Sequence, residues 1–147
     1  MSKIYSMKSK KKVIAYFVRH RNNQKEVLVF DHEGMPEAGT QVVGGTVEDG
    51  EDLKFALVRE VEEESGLKIS AENLKLLAET EYRRKDKEEI NFRTYFVIDG
   101  EALADQWSHV VKSDGEDDGL QFNFYWMSFV VARSKLTGNF AECLHLI

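Results

Sequence analysis

The sequence predicts an α/β fold in which a mixed sheet is covered by helices. Three observations carry that expectation. Runs of β-branched and aromatic residues of strand length recur along the chain, a single central segment switches to a clear helical period, and the composition is that of one folded domain. The 147 residues are 42% hydrophobic and 31% charged. A chain of this length buries roughly 70% of the surface its unfolded form exposes, enough for one core and one site.

The elements follow in chain order. Met1 to Lys12 is a basic lead carrying Lys3, Lys8, Lys10, Lys11 and Lys12, expected to be a solvated tail without function, so that residues 13–147 make the domain. Val13 to His20 and Glu26 to Phe30 read as strands, with the polar stretch Arg21 to Lys25 as their hairpin loop. The loop Asp31 to Thr40, which holds the only proline, Pro36, leads to a short strand at Gln41 to Val43 before Gly44 and Gly45. From Glu51 to Ser65 the apolar positions Leu53, Leu57, Val58 and Val61 fall along one helical side, with Asp49 as the expected N-cap and Gly66 as the stop. Leu74 to Tyr82 and Ile90 to Ile98 read as strands joined by the charged segment Arg83 to Glu89. A strand around Trp107 to Val111, an acidic turn at Asp114 to Gly119, a strand at Leu120 to Met127 and a terminal helix at Asn139 to Leu146 complete the chain.

Composition excludes several function classes. Cys143 is the only cysteine, so no internal disulfide forms, and the histidines at 20, 32, 109 and 145 make no zinc-binding spacing. No signal peptide and no run of 18 apolar residues is visible, which predicts a cytoplasmic protein with no membrane association. With 20 Lys and Arg against 26 Asp and Glu, the net charge is −6. That balance makes nucleic-acid binding unexpected, because neutralising a phosphate backbone needs a basic face. A phosphate-bearing ligand would need a cation supplied from outside.

The chemistry is concentrated in Gly45 to Leu67, GTVEDGEDLKFALVREVEEESGL. On a helix, Glu60, Glu63 and Glu64 share an arc of about 100° on adjacent turns. Like charges so placed cost a few tenths of a kcal/mol per pair unless a cation neutralises them. Carboxylate oxygens without Cys or His select Mg²⁺ or Mn²⁺. Gly44 and Gly45 admit close backbone approach to a metal or phosphate. Neither a phosphate-binding P-loop nor a dinucleotide fingerprint is present.

Gly45, Glu51, Arg59, Glu60, Val61, Glu63, Glu64, Gly66 and Leu67 fill the pattern G, five residues, E, seven residues, R-E-U-x-E-E-x-G-U, where U is apolar. This resembles the Nudix box, and a chance match is on the order of 10⁻⁹ per starting position. The resemblance implies a Nudix-like α/β/α sandwich with a mixed central sheet. It also implies hydrolysis of a nucleoside diphosphate linked to another moiety, with Mg²⁺ as cofactor and Mn²⁺ as substitute. Carried over position by position, Glu60 and Glu64 become the main metal ligands and Glu63 a further ligand or the base that deprotonates water. Gly44 becomes a carbonyl ligand, and Arg59, paired with Glu51, orients the catalytic glutamates. The implied partner is a small nucleotide, and members of the family often pair as homodimers.

Two other readings share the resemblance. A non-catalytic nucleotide-sensing domain usually loses box glutamates, which are intact here. An isopentenyl-diphosphate isomerase-like enzyme is associated with a catalytic cysteine and a degenerate box, whereas this chain has an intact box and only Cys143 near its end. Outside the box, Asp114, Glu116, Asp118 and Gly119 begin like a calcium loop, but Tyr125 stands where the closing Glu belongs. An acidic hairpin turn is expected there, with Glu116 as the candidate for a late carboxylate. His109 reads as a structural strand residue. Among Tyr16, Phe17, Tyr82, Phe92, Tyr95, Trp107, Phe124 and Trp126, the sequence does not single out a base-stacking ring. Tyr82 stands where the family's ADP-ribose subgroup carries proline, which disfavours that subgroup.

Overall fold

The computed structural model describes residues 8–84 and 86–147, so Met1 to Met7 of the basic lead lie outside the described residues. Lys8 to Lys12 are not tail. They open β1 (Lys8–Arg21), because their backbones pair in parallel register with Glu89 to Arg93. Asn22 and Asn23, both with positive φ (53° and 62°), turn the chain into β2 (Gln24–His32). Asparagine tolerates that left-handed backbone, which matches the twist of a tight hairpin.

β3 (Val43–Thr46) runs antiparallel to β1, with Val13 opposite Gly45 and Lys12 opposite Thr46. The strand therefore includes the glycines that were expected to follow it. Helix α1 (Leu53–Ser65) is capped by Asp52, whose carboxylate accepts from the Phe55 N–H at 3.1 Å, rather than by Asp49. Gly66 ends it at φ 79°, a left-handed position that glycine takes at no steric cost.

β4 (Lys75–Arg84), β5 (Glu89–Asp99), β6 (Gln106–Val110) and β7 (Gln121–Ser128) complete a seven-stranded sheet in the order β4-β5-β1-β2-β7-β6, with β3 also on β1. The β1–β5 pair is parallel and the other pairs are antiparallel, which makes the sheet mixed. The second helix is α2 (Phe129–Lys135), not a terminal one. Ser128 caps it by accepting from the Val131 N–H at 3.2 Å, while residues 139–146 form turns ending in a short 3₁₀ segment, Leu144–Leu146.

Alternation along β1 sorts the core into two layers. Val13, Ala15 and Phe17 pack against Ala56, Leu57 and Val61 of α1. Ile14, Tyr16 and Val18 pack against Phe129, Ala132 and Leu136 on the α2 side. The result is an α/β/α sandwich in which each fully buried aliphatic side chain contributes roughly 1.5–3 kcal/mol. Trp107 fastens the end of α1 to β6 by donating its indole N–H to the Ser65 carbonyl at 3.0 Å. This holds α1 firmly over β3, where the acidic cluster lies.

Candidate active site

The cluster is organised around Arg59. Its Nε and Nη2 grip Glu51 through both carboxylate oxygens, at 2.8 and 2.9 Å. Nη1 reaches Glu60 at 3.0 Å and Glu63 at 3.1 and 3.2 Å, and Nη2 also donates to the Thr46 carbonyl at 3.3 Å. A planar guanidinium with five donors in a fixed fork can hold three carboxylates and a strand backbone at once, which an ammonium cannot. The side-chain bond from Arg59 is the main reason the Glu51 carboxyl is held below its usual range.

Glu60 and Glu64 are held differently. Glu60 lies over Gly45, and burial pushes its carboxyl up to about 7 against the pull of Arg59. Glu64 is buried between α1 and β3, where its Oε1 accepts from the Gly44 N–H at 3.2 Å. Desolvation, then the charge of Glu60, raises the Glu64 carboxyl well above the ordinary range. Two neighbouring carboxylates kept from water are costly unless a cation compensates them.

The side chains present fit a hard divalent cation. The donors are carboxylate oxygens, and Glu60 and Glu63 already meet on one cationic group. Among the described residues no three acidic, histidine or cysteine side chains converge as a ready metal cage.

The structure brings Gly44, Glu51, Arg59, Glu60, Glu63 and Glu64 into one locality, formed by β3 and the face of α1 turned toward it. Beside Arg59 and Glu63 an open depression of about 490 Å³ is bordered by Phe55, Val58, His109 and Lys112. His109 belongs to β6 and packs on Gly66, with its Nε2 buried and without a hydrogen-bond partner among the described residues. The acidic segment 114–118 is the turn of the β6–β7 hairpin, where Asp118 accepts from the Ser113 N–H at 3.0 Å. The loop carboxylate whose charge acts on Glu64 is that of Asp117 rather than Glu116, and both side chains are exposed.

Sequence reasoning missed Lys12. Its ammonium donates to Thr46 Oγ1 at 2.6 Å, and its charge acts on Glu60. No local signal marks it, because only the pairing of β1 with β3 carries the basic lead beside the glycine strand, where Lys12 lies on the face of the sheet away from α1. Among the aromatic candidates, Tyr16 and Tyr95 are core on the α2 side and Phe17 and Phe124 are core on the α1 side. The indole of Trp126 lies against the Arg19 guanidinium, 4.4 Å from ring centroid to Cζ.

A family model described as NUDIX domain matches residues 10–144. No curated protein matches the sequence at a significant level. Among solved structures, the MutT NUDIX hydrolase from Burkholderia pseudomallei superposes with a TM-score of 0.68 at 18% identity, over 95% of this chain and 98% of that one. An Ap4A hydrolase from C. elegans, solved as a binary complex, gives 0.64 at 18% identity, over 92% and 95%. The NUDIX domain of Shewanella oneidensis NrtR, complexed with ADP ribose, gives 0.65 at 11% identity, over 99% and 90%. At these identities the likenesses establish a shared fold. With the family model spanning nearly the whole chain, they lead to one conclusion: the chain belongs to the Nudix family and has the fold of its hydrolases.

Proposed function

We propose that the protein is a Mg²⁺-dependent pyrophosphohydrolase, with Mn²⁺ as substitute, that cleaves a nucleoside di- or triphosphate or a nucleoside diphosphate linked to another group and releases a nucleoside monophosphate. The observation that carries this reading is the Arg59 fork, which gathers Glu51, Glu60 and Glu63 beside the buried Glu64. In this reading Glu60 and Glu64, with the Gly44 carbonyl, would hold the cation, and Glu63 is left as the base. When bound, the ion supplies charge neutralisation on the phosphate oxygens and acidifies water. Glu63 accepts the proton of the attacking water, whose oxygen bonds to phosphorus as a P–O bond of the anhydride breaks. Arg59, fixed by Glu51, keeps Glu60 and Glu63 facing the reacting phosphate, and the two phosphate-bearing halves leave separately.

Neighbours named as a MutT hydrolase and an Ap4A hydrolase keep the expected substrates among nucleotides. An isomerase reading that needs a reactive cysteine loses support. Cys143 is buried in the α2-side core, and desolvation pushes its thiol up to about 11.

The test is release of phosphate or nucleoside monophosphate from a panel of nucleoside di- and triphosphates, nucleotide sugars, ADP-ribose and dinucleoside polyphosphates, in Mg²⁺, Mn²⁺ and EDTA. Turnover concentrated on one group and abolished by EDTA is the expected result. Silence across the panel with ligand binding retained would transfer the assignment to a nucleotide-sensing domain.

A further inference from the structure

The depression beside Arg59 and Glu63 follows α1. Phe55, Val58, Arg59, Glu62, Glu63 and Gly66 recur at the three- and four-residue spacing of one helical stripe, about 16 Å long at 1.5 Å per residue. The stripe lies on the flank of α1 left uncovered when Ala56, Leu57 and Val61 pack on the sheet. One end is closed by β6 and the residues that follow it. The Lys112 N–H donates to the Glu63 carbonyl at 3.2 Å, and the His109 imidazole lies on Gly66. A Cβ at position 66 would stand 2.9 Å from His109 Nδ1, so the imidazole sits this close because the residue is glycine. At the other end Phe55 is 64% exposed, and Val58 continues its apolar surface along the helix.

The groove has the size of a small-molecule site, for which volumes run from roughly 300 to 1,000 Å³. Its charged borders cancel, Arg59 and Lys112 against Glu62 and Glu63. A surface without net charge gives a phosphate chain little hold, whereas a phenyl ring, an aliphatic side chain and an imidazole offer flat apolar surface to another ring. Arg59 and Glu63 belong to the acidic cluster as well as to the groove. A group attached to a phosphate held at the cluster therefore enters the groove along α1, without crossing the sheet. None of the aromatic rings singled out from the sequence borders it.

We propose that this groove holds a planar aromatic group carried on the substrate beyond the attacked phosphorus, with Phe55 as the ring on which it stacks. This rests on the hydrolase reading and deepens it: the moiety joined to the nucleoside diphosphate bears a ring system rather than being a bare sugar or phosphate. Stacking on Phe55 tolerates many rings. The exposed side chains of Glu62 and Lys112 border the same groove and can meet polar edges of the bound group.

The experiment compares diadenosine tetraphosphate with adenosine tetraphosphate, which share a phosphate chain and differ by one terminal nucleoside. Wild type should show the higher kcat/KM for the doubly capped compound. Phe55→Ala should cut that preference about tenfold, mainly through KM, as expected for loss of one stacked ring. Phe55→Trp should retain it, and Val130→Ala, at an exposed side chain of α2, should leave it at the wild-type value. No preference in wild type, an equal loss on both compounds in Phe55→Ala, or a stronger preference for a nucleotide sugar overturns the subsite. Binding is read apart from turnover with adenosine in EDTA, a probe with neither phosphate nor scissile bond. Adenosine should quench the indole introduced by Phe55→Trp beyond any change in wild type, whose Trp107 and Trp126 set the background. No such quenching up to the solubility of adenosine also overturns the subsite. Quenching without EDTA-sensitive turnover on the nucleotide panel would instead mark failure of the hydrolase reading alone.

Discussion

A Cβ built on Gly45 would lie 2.1 Å from Cδ of Glu60, so the glutamate carboxylate rests directly on the glycine backbone. The glycine thus sets the position of a carboxylate, because no other residue leaves that space open.

Gly45→Ala should therefore separate stability from chemistry. The atom that must move is the far end of a flexible side chain, so melting should fall by only a few degrees. Displacing Glu60 should lower turnover about 100-fold, since a misplacement of about 1 Å is enough for that. Thermal melting and steady-state kinetics on the same preparation decide it, and unchanged turnover would show that the position of Glu60 is immaterial.

Glu64→Gln keeps an oxygen that can accept from the Gly44 N–H and removes a desolvated charge. The metal-free variant should be at least as stable as wild type at pH 8 and should lose nearly all turnover. Substantial activity in this variant would refute the proposed metal ligation.

In the metal-free protein the Glu60 carboxyl titrates at about 7, whereas an unfolded carboxylate does so near 4.3. The native state then binds the extra proton between those values, so stability is greatest below about pH 4.3 and declines as pH rises through 7, as far as this group is concerned. Glu64, raised in the same direction, adds to the slope. Melting temperatures in EDTA from pH 5 to 8 should fall for wild type and fall less for Glu60→Gln. Coincident slopes for the two proteins would contradict the desolvation of Glu60.

Arg59→Lys preserves charge and loses the fork. One ammonium cannot hold both oxygens of Glu51 together with Glu60, Glu63 and the Thr46 carbonyl. Turnover should drop by about two orders of magnitude, comparable to the loss of an orienting second-layer contact, and stability by about 1–3 kcal/mol. Denaturant unfolding and kcat measured together check both.

Glu142→Ala removes the carboxylate that accepts from Tyr95, Thr80 and Arg93 at 2.6, 3.0 and 3.1 Å. Arg93, 3% exposed, would remain as an uncompensated buried charge, a cost of about 3–5 kcal/mol. Urea unfolding with an unchanged midpoint would show that Arg93 finds another partner.

The sequence by itself determined the parts whose physics is local. The helical period read over residues 51–65, the stop at Gly66 and the strand-length apolar runs are readable because each depends on neighbours a few residues away. The acidic face of α1 is legible for the same reason, since Glu60, Glu63 and Glu64 meet through helix geometry alone. Tertiary structure decided the rest. Phe129–Lys135 lies between the expected strand and the expected terminal helix with no element assigned to it, and it forms α2 because Ser128 caps the turn and Phe129 and Ala132 bury against the sheet. Asp52 rather than Asp49 caps α1, a matter of where the backbone leaves β3. Lys12 reaches Thr46 across 34 positions, and Arg93 meets Glu142 across 49. Those contacts depend on strand pairing and on how the chain end folds over the sheet, and no periodicity within one segment encodes them.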